Sequence, residues 1–283
     1  MYIKHRYPTA LTIAGSDSGG CAGIQADLKT FSSLGVFGAS AITAITVQNT
    51  REVRAVQQLS PEWVRQQAEA VLDDMVVDAV KTGMLPSPEI VAELARLIDK
   101  YRLKTVVVDP VMVATSGTKL HQVPVASSFR KLLYSRISLI TPNIPEAEAL
   151  SGIAIHTEED VLRAGALFLA QACRAVLIKG GHLSGHDAVD ILFRQGEEPV
   201  RFSSPLIDTR NLHGTGCTLS SAITAYLALG YDLLAAVGMA KRYITSAIEA
   251  GKDIVTGQGF GPVNHFHAPQ ILTSIEYESK GKQ

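Results

Sequence analysis

PEIVAELARLIDKYRLKTVVVDP, residues 88–110, carries the repeating unit of this chain in one line. Pro88–Tyr101 reads as an amphipathic helix, and Thr105–Val108 is a dense valine run that stops at Asp109-Pro110. A helix leading into a short β-branched run is the building unit of a mostly parallel sheet covered by helices. The alternation extends in both directions. Upstream, Thr9–Ala14 reads as a strand and Gly23–Leu34 as a helix, with Ile24, Leu28 and Phe31 on one face and Gly35 at its end. Strands over Ala39–Val47 and Val53–Gln57, a helix over Pro61–Leu72 and a strand over Asp78–Lys81 follow. Downstream, Ser138–Thr141 is a strand closed by Pro142-Asn143, then come helical stretches over Pro145–Leu150 and Glu158–Gln171 and the strand Ala175–Lys179. Asp187–Arg194 and Glu198–Ser203 form an antiparallel pair around Gln195-Gly196. A final pair of helices opens with Leu219, Ala222, Ile223, Tyr226 and Leu227 at helical spacing and Gly230 as the stop. No low-complexity linker or internal repeat divides the chain. The expectation is one three-layer αβα domain over residues 1–283 with a mostly parallel central sheet.

The bulk numbers agree with an ordinary globular enzyme. Of 283 residues, 46% are hydrophobic and 19% charged, which excludes a disordered chain. The formal net charge is −1 without a block of like charges, so nucleic acid is not an expected partner. The basic stretch from Arg130-Lys131 to Arg136 reads as a solvated helix face. Cys21, Cys173 and Cys217 are odd in number and far apart, a pattern that suits a reducing compartment. MYIKHRYPTALTIAG reads as a first strand and not as a signal peptide, and no apolar run reaches the roughly 18 residues of a membrane span. A cytoplasmic protein is expected.

Open parallel sheets bind ligands beyond the carboxyl ends of their strands. The polar and glycine-rich segments fall there: Gly15–Gly23, Gln48-Asn49, Thr82-Gly83, Asp109-Pro110, Thr141–Glu146, Lys179–His182 and His213–Cys217. Familiar phosphate loops are absent. Gly15 and Gly20 have Walker spacing but Cys21 holds the lysine position, and neither G-x-G-x-x-G, H-E-x-x-H nor G-x-S-x-G occurs. HGTGC at 213–217 supplies another device. Gly214 and Gly216 let backbone N–H groups converge at the start of the following helix, whose positive end favours an anion. That field should lower the thiol pKa of Cys217, which could then take a proton from an attacking hydroxyl. The plain alternative is a tight strand-to-helix turn with a small buried cysteine.

HGTGC followed by TLSSAI resembles the C-terminal signature of ribokinase-like kinases, whose sugar-kinase branches place a catalytic aspartate where Cys217 stands. LTIAGSDSGGCAGIQADLKTF (11–31), KTGML (81–85), DPVM (109–112), TPNIPEA (141–147), IKGGH (178–182) and GPVNHFHA (261–268) extend the likeness from about residue 9 to 267. Together they are similar to the hydroxymethylpyrimidine/phosphomethylpyrimidine kinase branch. Ser18–Cys21 departs mildly from its usual pattern.

The resemblance implies Gly214, Thr215, Gly216 and Cys217 as anion hole and base. It implies that Gln48 reads the pyrimidine through its amide, with Gly15, Ala22, Asp27, Met84 and Val111 lining or approaching the pocket. Asn143, Glu146 and Lys179 would serve ATP, with Glu146 and Asp109 near Mg²⁺. A monovalent cation and a homodimer are further implications. Simpler readings stand beside these. Gln48 alone is a solvated loop residue, Asp27 a carboxylate near a helix start, and Met84 and Val111 core residues. Asn143 and Glu146 form a helix-start box, and Lys179 a strand-end lysine reaching for water. Pyridoxal kinases often carry an aspartate where Ala114 stands. His182, His213, His265 and His267 read as loop or packing residues. The implied activity is transfer of the ATP γ-phosphate to hydroxymethylpyrimidine and then to its monophosphate. The alternatives are a pyridoxal or pyridoxine kinase and a nucleotide-binding regulatory protein without turnover, which the intact Gly214–Cys217 and Lys179 oppose.

Overall fold

A computed structural model describes residues 5–112, 125–180 and 187–276. The chain opens with β1 (His5–Arg6), β2 (Thr9–Asp17), α1 (Gly23–Ser33), β3 (Phe37–Gln48) and β4 (Val53–Gln58). Then come α2 (Pro61–Asp74), β5 (Ala79–Thr82), α3 (Pro88–Tyr101), β6 (Val106–Val108) and the short α4 (Ala126–Ser128). β7 (Leu139–Ile140), α5 (Ile144–Ser151), α6 (Glu158–Ala170), β8 (Ala175–Lys179), β9 (Asp187–Arg194) and β10 (Val200–Pro205) follow. The helices α7 (Thr215–Ala228) and α8 (Leu233–Gly251) and the strand β11 (Ile275–Glu276) end the described chain.

The nine-stranded sheet has the order β10-β9-β8-β7-β6-β5-β2-β3-β4. Its centre, from β3 through β2 to β8, is parallel, and β4, β9 and β10 are antiparallel additions at the two sides. β1 and β11 pair antiparallel apart from it, a contact the sequence reading did not contain.

The valine strand shows why the layers form. Side chains alternate across a strand, so Val106 and Val108 join the core under α2, α3, α5 and α6, whereas Val107 joins the core under α1, α7 and α8. All three are wholly buried, each contributing about 2 kcal/mol of apolar burial. Ser60 and Ser87 cap α2 and α3 by accepting the backbone N–H groups of Trp63 and Ile90, each with proline in the first turn. Arg102, in the left-handed region at φ 51°, ends α3 and turns the chain into β6.

The basic segment lies on a π-helical turn over Phe129–Leu133 that periodicity did not foretell; Arg130 and Lys131 are exposed as expected. β2 outruns its expected end at Ala14, continuing past a register shift to Asp17. Among the described residues no helix is long and apolar enough to cross a membrane.

Candidate active site

The parallel strands end on one edge, and a cavity of about 730 Å³ opens there. Gly15, Ala22, Gln48, Met84, Asp109, Val111, Asn143, Glu146, Lys179 and Gly214–Cys217 all line it. Asp27 does not. Its carboxylate lies beneath the wall, accepting hydrogen bonds from Thr12 Oγ1 at 2.6 Å, Ser221 Oγ at 2.6 Å and Lys81 Nζ at 2.8 and 2.9 Å. Both ions of the Lys81–Asp27 pair are fully buried. Asp27 therefore braces Lys81, which does reach the cavity, so Asp27 approaches the pocket without lining it.

Gly214, at φ +83°, is the N-cap of α7, and a Cβ there would lie 1.9 Å from the Cys21 carbonyl oxygen. Only glycine allows this turn to sit against the loop after β2. A Cβ on Gly216 would lie 3.3 Å from Lys179 Nζ and 3.8 Å from Asp109 Oδ2, so this first turn stands directly over the Lys179–Asp109 pair. The Thr215 amide bonds the Leu212 carbonyl at 3.3 Å, and the amides that follow it in the first turn have no intrahelical acceptor, an arrangement that suits an anion.

Lys179 Nζ donates to Asp109 Oδ1 at 2.9 Å and lies 4.0 Å from Glu146 Oε2. Thr141 Oγ1 and Ser220 Oγ also bond Asp109, each at 3.2 Å. Burial works against the charge of Asp109, yet Lys179 and Lys81 hold its carboxyl below the usual range. Glu146 differs. Burial pushes it up to about 7, with the neighbouring Asp109 charge adding to the rise against the pull of Lys179. Asn143 and Glu146 form a complete capping box for α5, with bonds of 2.8 and 2.9 Å, so the helix-start reading holds while both residues also face the cavity.

Cys217 overturns one expectation. Burial raises its thiol to about 11, the nearby Asp27 and Asp109 charges add to the rise, and Lys81 offsets only part. The helix-end field alone does not prepare a thiolate at neutral pH.

At the other end Met84 packs with Ala44, Val56 and Val111 in a small apolar cluster separate from both main cores. Gln48 stands beside it on β3, its Oε1 3.1 Å from Thr46 Oγ1 and its Nε2 3.0 Å from His213 Nε2. His213 is thus a wall residue and not packing alone. His265 does pack, buried with Nε2 3.0 Å from Thr218 Oγ1, and His267 lies against the Tyr243 ring. His182 falls outside the described residues, as does Ala114.

Sequence reasoning missed Asp17, Lys81 and Lys241. Asp17 organises the loop after β2, accepting from the amides of Gly19, Cys21 and Ala22 at 2.8–3.0 Å. Lys241 on α8 donates to Asp190 of β9 at 2.7 Å, both nearly buried. The cavity wall includes Leu206, Ile207, Leu219, Ile244 and Ile248 beside the polar Ser204 and Thr245, a mostly apolar lining of the kind that holds a flat ring. The HGTGC and KTGML motifs could have flagged His213 and Lys81; Lys241 sits in no motif.

A parallel sheet with a helix N-terminus, a lysine and paired carboxylates at its carboxyl edge defines a ribokinase-like small-molecule kinase. The match to a phosphomethylpyrimidine kinase family model runs over residues 17–264, and the chain belongs to that family. The hydroxymethylpyrimidine/phosphomethylpyrimidine kinase of Rhizobium meliloti is 50% identical over 259 residues, covering 91% of this chain and 97% of that one. The thiamine biosynthesis bifunctional protein ThiED of Geobacter sulfurreducens is 49% identical over 262 residues, 93% of this chain and 53% of that protein; the chain spans about half of its length. Among solved structures, an ADP complex of Bacillus subtilis pyridoxal kinase superposes with a TM-score of 0.84 at 39% identity, covering 92% of this chain and 98% of that one.

Proposed function

We propose that this chain transfers the γ-phosphoryl group of ATP to the hydroxymethyl oxygen of hydroxymethylpyrimidine, and a second one to the resulting monophosphate, as steps of thiamine biosynthesis. One observation carries the reading: a single cavity joins the Gln48–Met84–Val111 end to the α7 turn that stands over Lys179 and Asp109. A flat aminopyrimidine rests on the Met84–Val111 patch with its polar edge on the Gln48 amide, which donates and accepts at once. Its hydroxymethyl group then faces the first turn of α7. The amides of Gly216 and Cys217 hold the transferring phosphoryl, Lys179 neutralises charge on it, and the apolar slot beside Lys241 takes the adenine. Positioning and electrostatics supply most of the catalysis of phosphoryl transfer. Cys217 receives the hydroxyl proton; with its thiol near 11, only a small thiolate fraction is ready at neutral pH.

The donor set suits Mg²⁺, which takes a few carboxylate oxygens and keeps water and phosphate oxygens for the rest. Asp109 and Glu146 would hold it, and the desolvated Glu146 carboxyl is a group that a cation would return to its ionised form. Bound there, the ion supplies charge neutralisation to the polyphosphate. A cytoplasmic homodimer completes the proposal. The exposed Ile45 and Val47 beside the edge strand β4 support the dimer.

ADP release measured in parallel with hydroxymethylpyrimidine, its monophosphate and pyridoxal tests the reading. ADP is expected with the first two. Equal kcat/KM on pyridoxal would transfer the chain to pyridoxal kinase chemistry, and no ADP with any acceptor would leave a binding protein. The 50% identity to a pyrimidine kinase against 39% to a pyridoxal kinase favours the pyrimidine.

A further inference from the structure

Thr12, Asp27, Lys81 and Ser221 come from four elements, β2, α1, β5 and α7, and meet in one wholly buried knot. A buried ion pair is weak evidence for stability, because desolvating two charges offsets much of their attraction. The orientation of this pair points to another use. Of the two ions only Lys81 reaches the cavity, while Asp27 lies beneath the wall. The pair is therefore a fixed dipole with its positive end towards the reacting groups.

Helix α7 shows which group meets that end. Residues three and four apart share one face of a helix. One turn beyond Cys217, Ser220 Oγ lies 3.2 Å from Asp109 Oδ2, and Ser221 Oγ donates to Asp27 Oδ1 at 2.6 Å. Cys217 thus stands on the face of α7 that covers the two carboxylates, in the turn that borders the cavity. Lys81 Nζ occupies the same ground. It shares Asp27 Oδ1 with Ser221, at 2.8 Å, and a Cβ on Gly83 of the cavity wall would come within 3.1 Å of it. β5, which carries Lys81, packs against α7. The charges facing the thiol are Lys81 from β5, Asp27 from α1, Asp109 beyond β6 and Lys179 from β8. Lys179 is engaged by Asp109 at 2.9 Å. Lys81 opposes the rise that burial and the two carboxylates impose on the Cys217 thiol. Its own charge is secure: burial works against it, but Asp27, Cys217 and Asp109 outweigh burial and hold the ammonium above the ordinary lysine range.

We infer that Lys81 is a positioning residue for the transfer: braced by Asp27, it presents a permanent positive charge to Cys217 and raises the share of thiolate ready to take the hydroxyl proton. The inference rests on the reading of Cys217 as proton acceptor. The thiolate takes the proton of the hydroxymethyl group as its oxygen bonds phosphorus, and the bond from that phosphorus to the ADP oxygen breaks. The sulfur ends as a thiol, beside an unchanged ammonium. Wholly buried, Lys81 acts on the sulfur through the low-dielectric interior and not by touching substrate.

Alkylation of each cysteine by uncharged iodoacetamide in the nucleotide-free protein, followed peptide by peptide by mass spectrometry, tests it. The thiolate is the nucleophile, so Lys81→Met should slow Cys217 about tenfold or more at neutral pH. Cys173, buried in the core, is the control. A fold that had merely loosened would expose both residues and alkylate them faster, the opposite sign. Cys217 unchanged or faster while Cys173 keeps its rate would overturn the inference. Lys81→Met leaves Asp27 as an unpaired buried charge. Should Cys173 speed up or the variant fail to fold, Lys81→Met/Asp27→Asn removes both charges and decides. Cys217 slower than in the wild type agrees there, because the end of the pair that reaches the cavity is gone, and an unchanged or faster rate contradicts. In turnover, kcat for hydroxymethylpyrimidine should fall about tenfold, with KM for ATP within about threefold. Lys81→Met added to Cys217→Ala should cost nothing further, and a further loss would also overturn the inference. Wild-type turnover by Cys217→Ala would defeat the proton-acceptor reading instead, whatever the alkylation rates.

Discussion

The two ends of the cavity are built on opposite electrical principles. Around Gln48, Met84 and Val111 an apolar patch meets the Gln48 amide, the Thr46 hydroxyl and the His213 ring, and Asp17 beside them is spent on backbone N–H groups. Around Asp109, Glu146, Lys179 and Lys81 the wall is a knot of buried charges, each held by another. The first end suits an uncharged heteroaromatic ring, for which a fixed charge would only add desolvation cost. The second suits a polyphosphate, and the α7 turn lies between them where a phosphoryl group would cross. On the proposed reading, charge governs the donor, and shape with neutral hydrogen bonds governs the acceptor.

Substitutions can break this division, and the largest effect is expected where the ends meet. Gly214→Ala forces a side chain at φ +83° into the Cys21 carbonyl. It should cost at least ~2 kcal/mol of stability and lower kcat by about 10³-fold or more through the displaced amides; thermal melting and steady-state rates read both. Lys179→Met should lower kcat/KM for ATP by roughly 10²–10³-fold while a binding assay shows hydroxymethylpyrimidine affinity nearly unchanged. Equal losses at both substrates would erase the division. Cys217→Ala should lower kcat about 10²-fold. With the thiolate as the proposed working form and the thiol near 11, the wild-type rate should climb with pH above neutrality and the variant rate should not. A parallel climb in both would remove Cys217 as proton acceptor. The smallest effect belongs to Lys241→Met, which should raise KM for ATP by about tenfold and leave the acceptor KM alone.

The two ends also differed in how far the sequence disclosed them. The fold was legible because strands buried on both faces, such as Val106–Val108, have to be continuously apolar, and because serine and proline mark the starts of α2 and α3. Glycine signals located the α7 turn for the same reason: the left-handed backbone at Gly214 leaves no other residue type. Groups whose meaning depends on a distant partner were less legible. Nothing around Asp27 in the sequence shows that Lys81, 54 positions away, is the cation it holds. Cys217 looked acidified by its helix, because local position shows the dipole but not the burial that outweighs it. His213 looked like packing because its partner Gln48 lies on another strand. Lys241 and Asp190 belong to no motif, and only the approach of α8 to β9 joins them.

A crystal structure with a non-hydrolysable ATP analogue and hydroxymethylpyrimidine bound together tests the account most directly. It predicts the outermost phosphate about 3 Å from the amide nitrogens of Gly216 or Cys217, with the pyrimidine hydroxymethyl oxygen facing it. A terminal phosphate held away from the first turn of α7 would contradict the account.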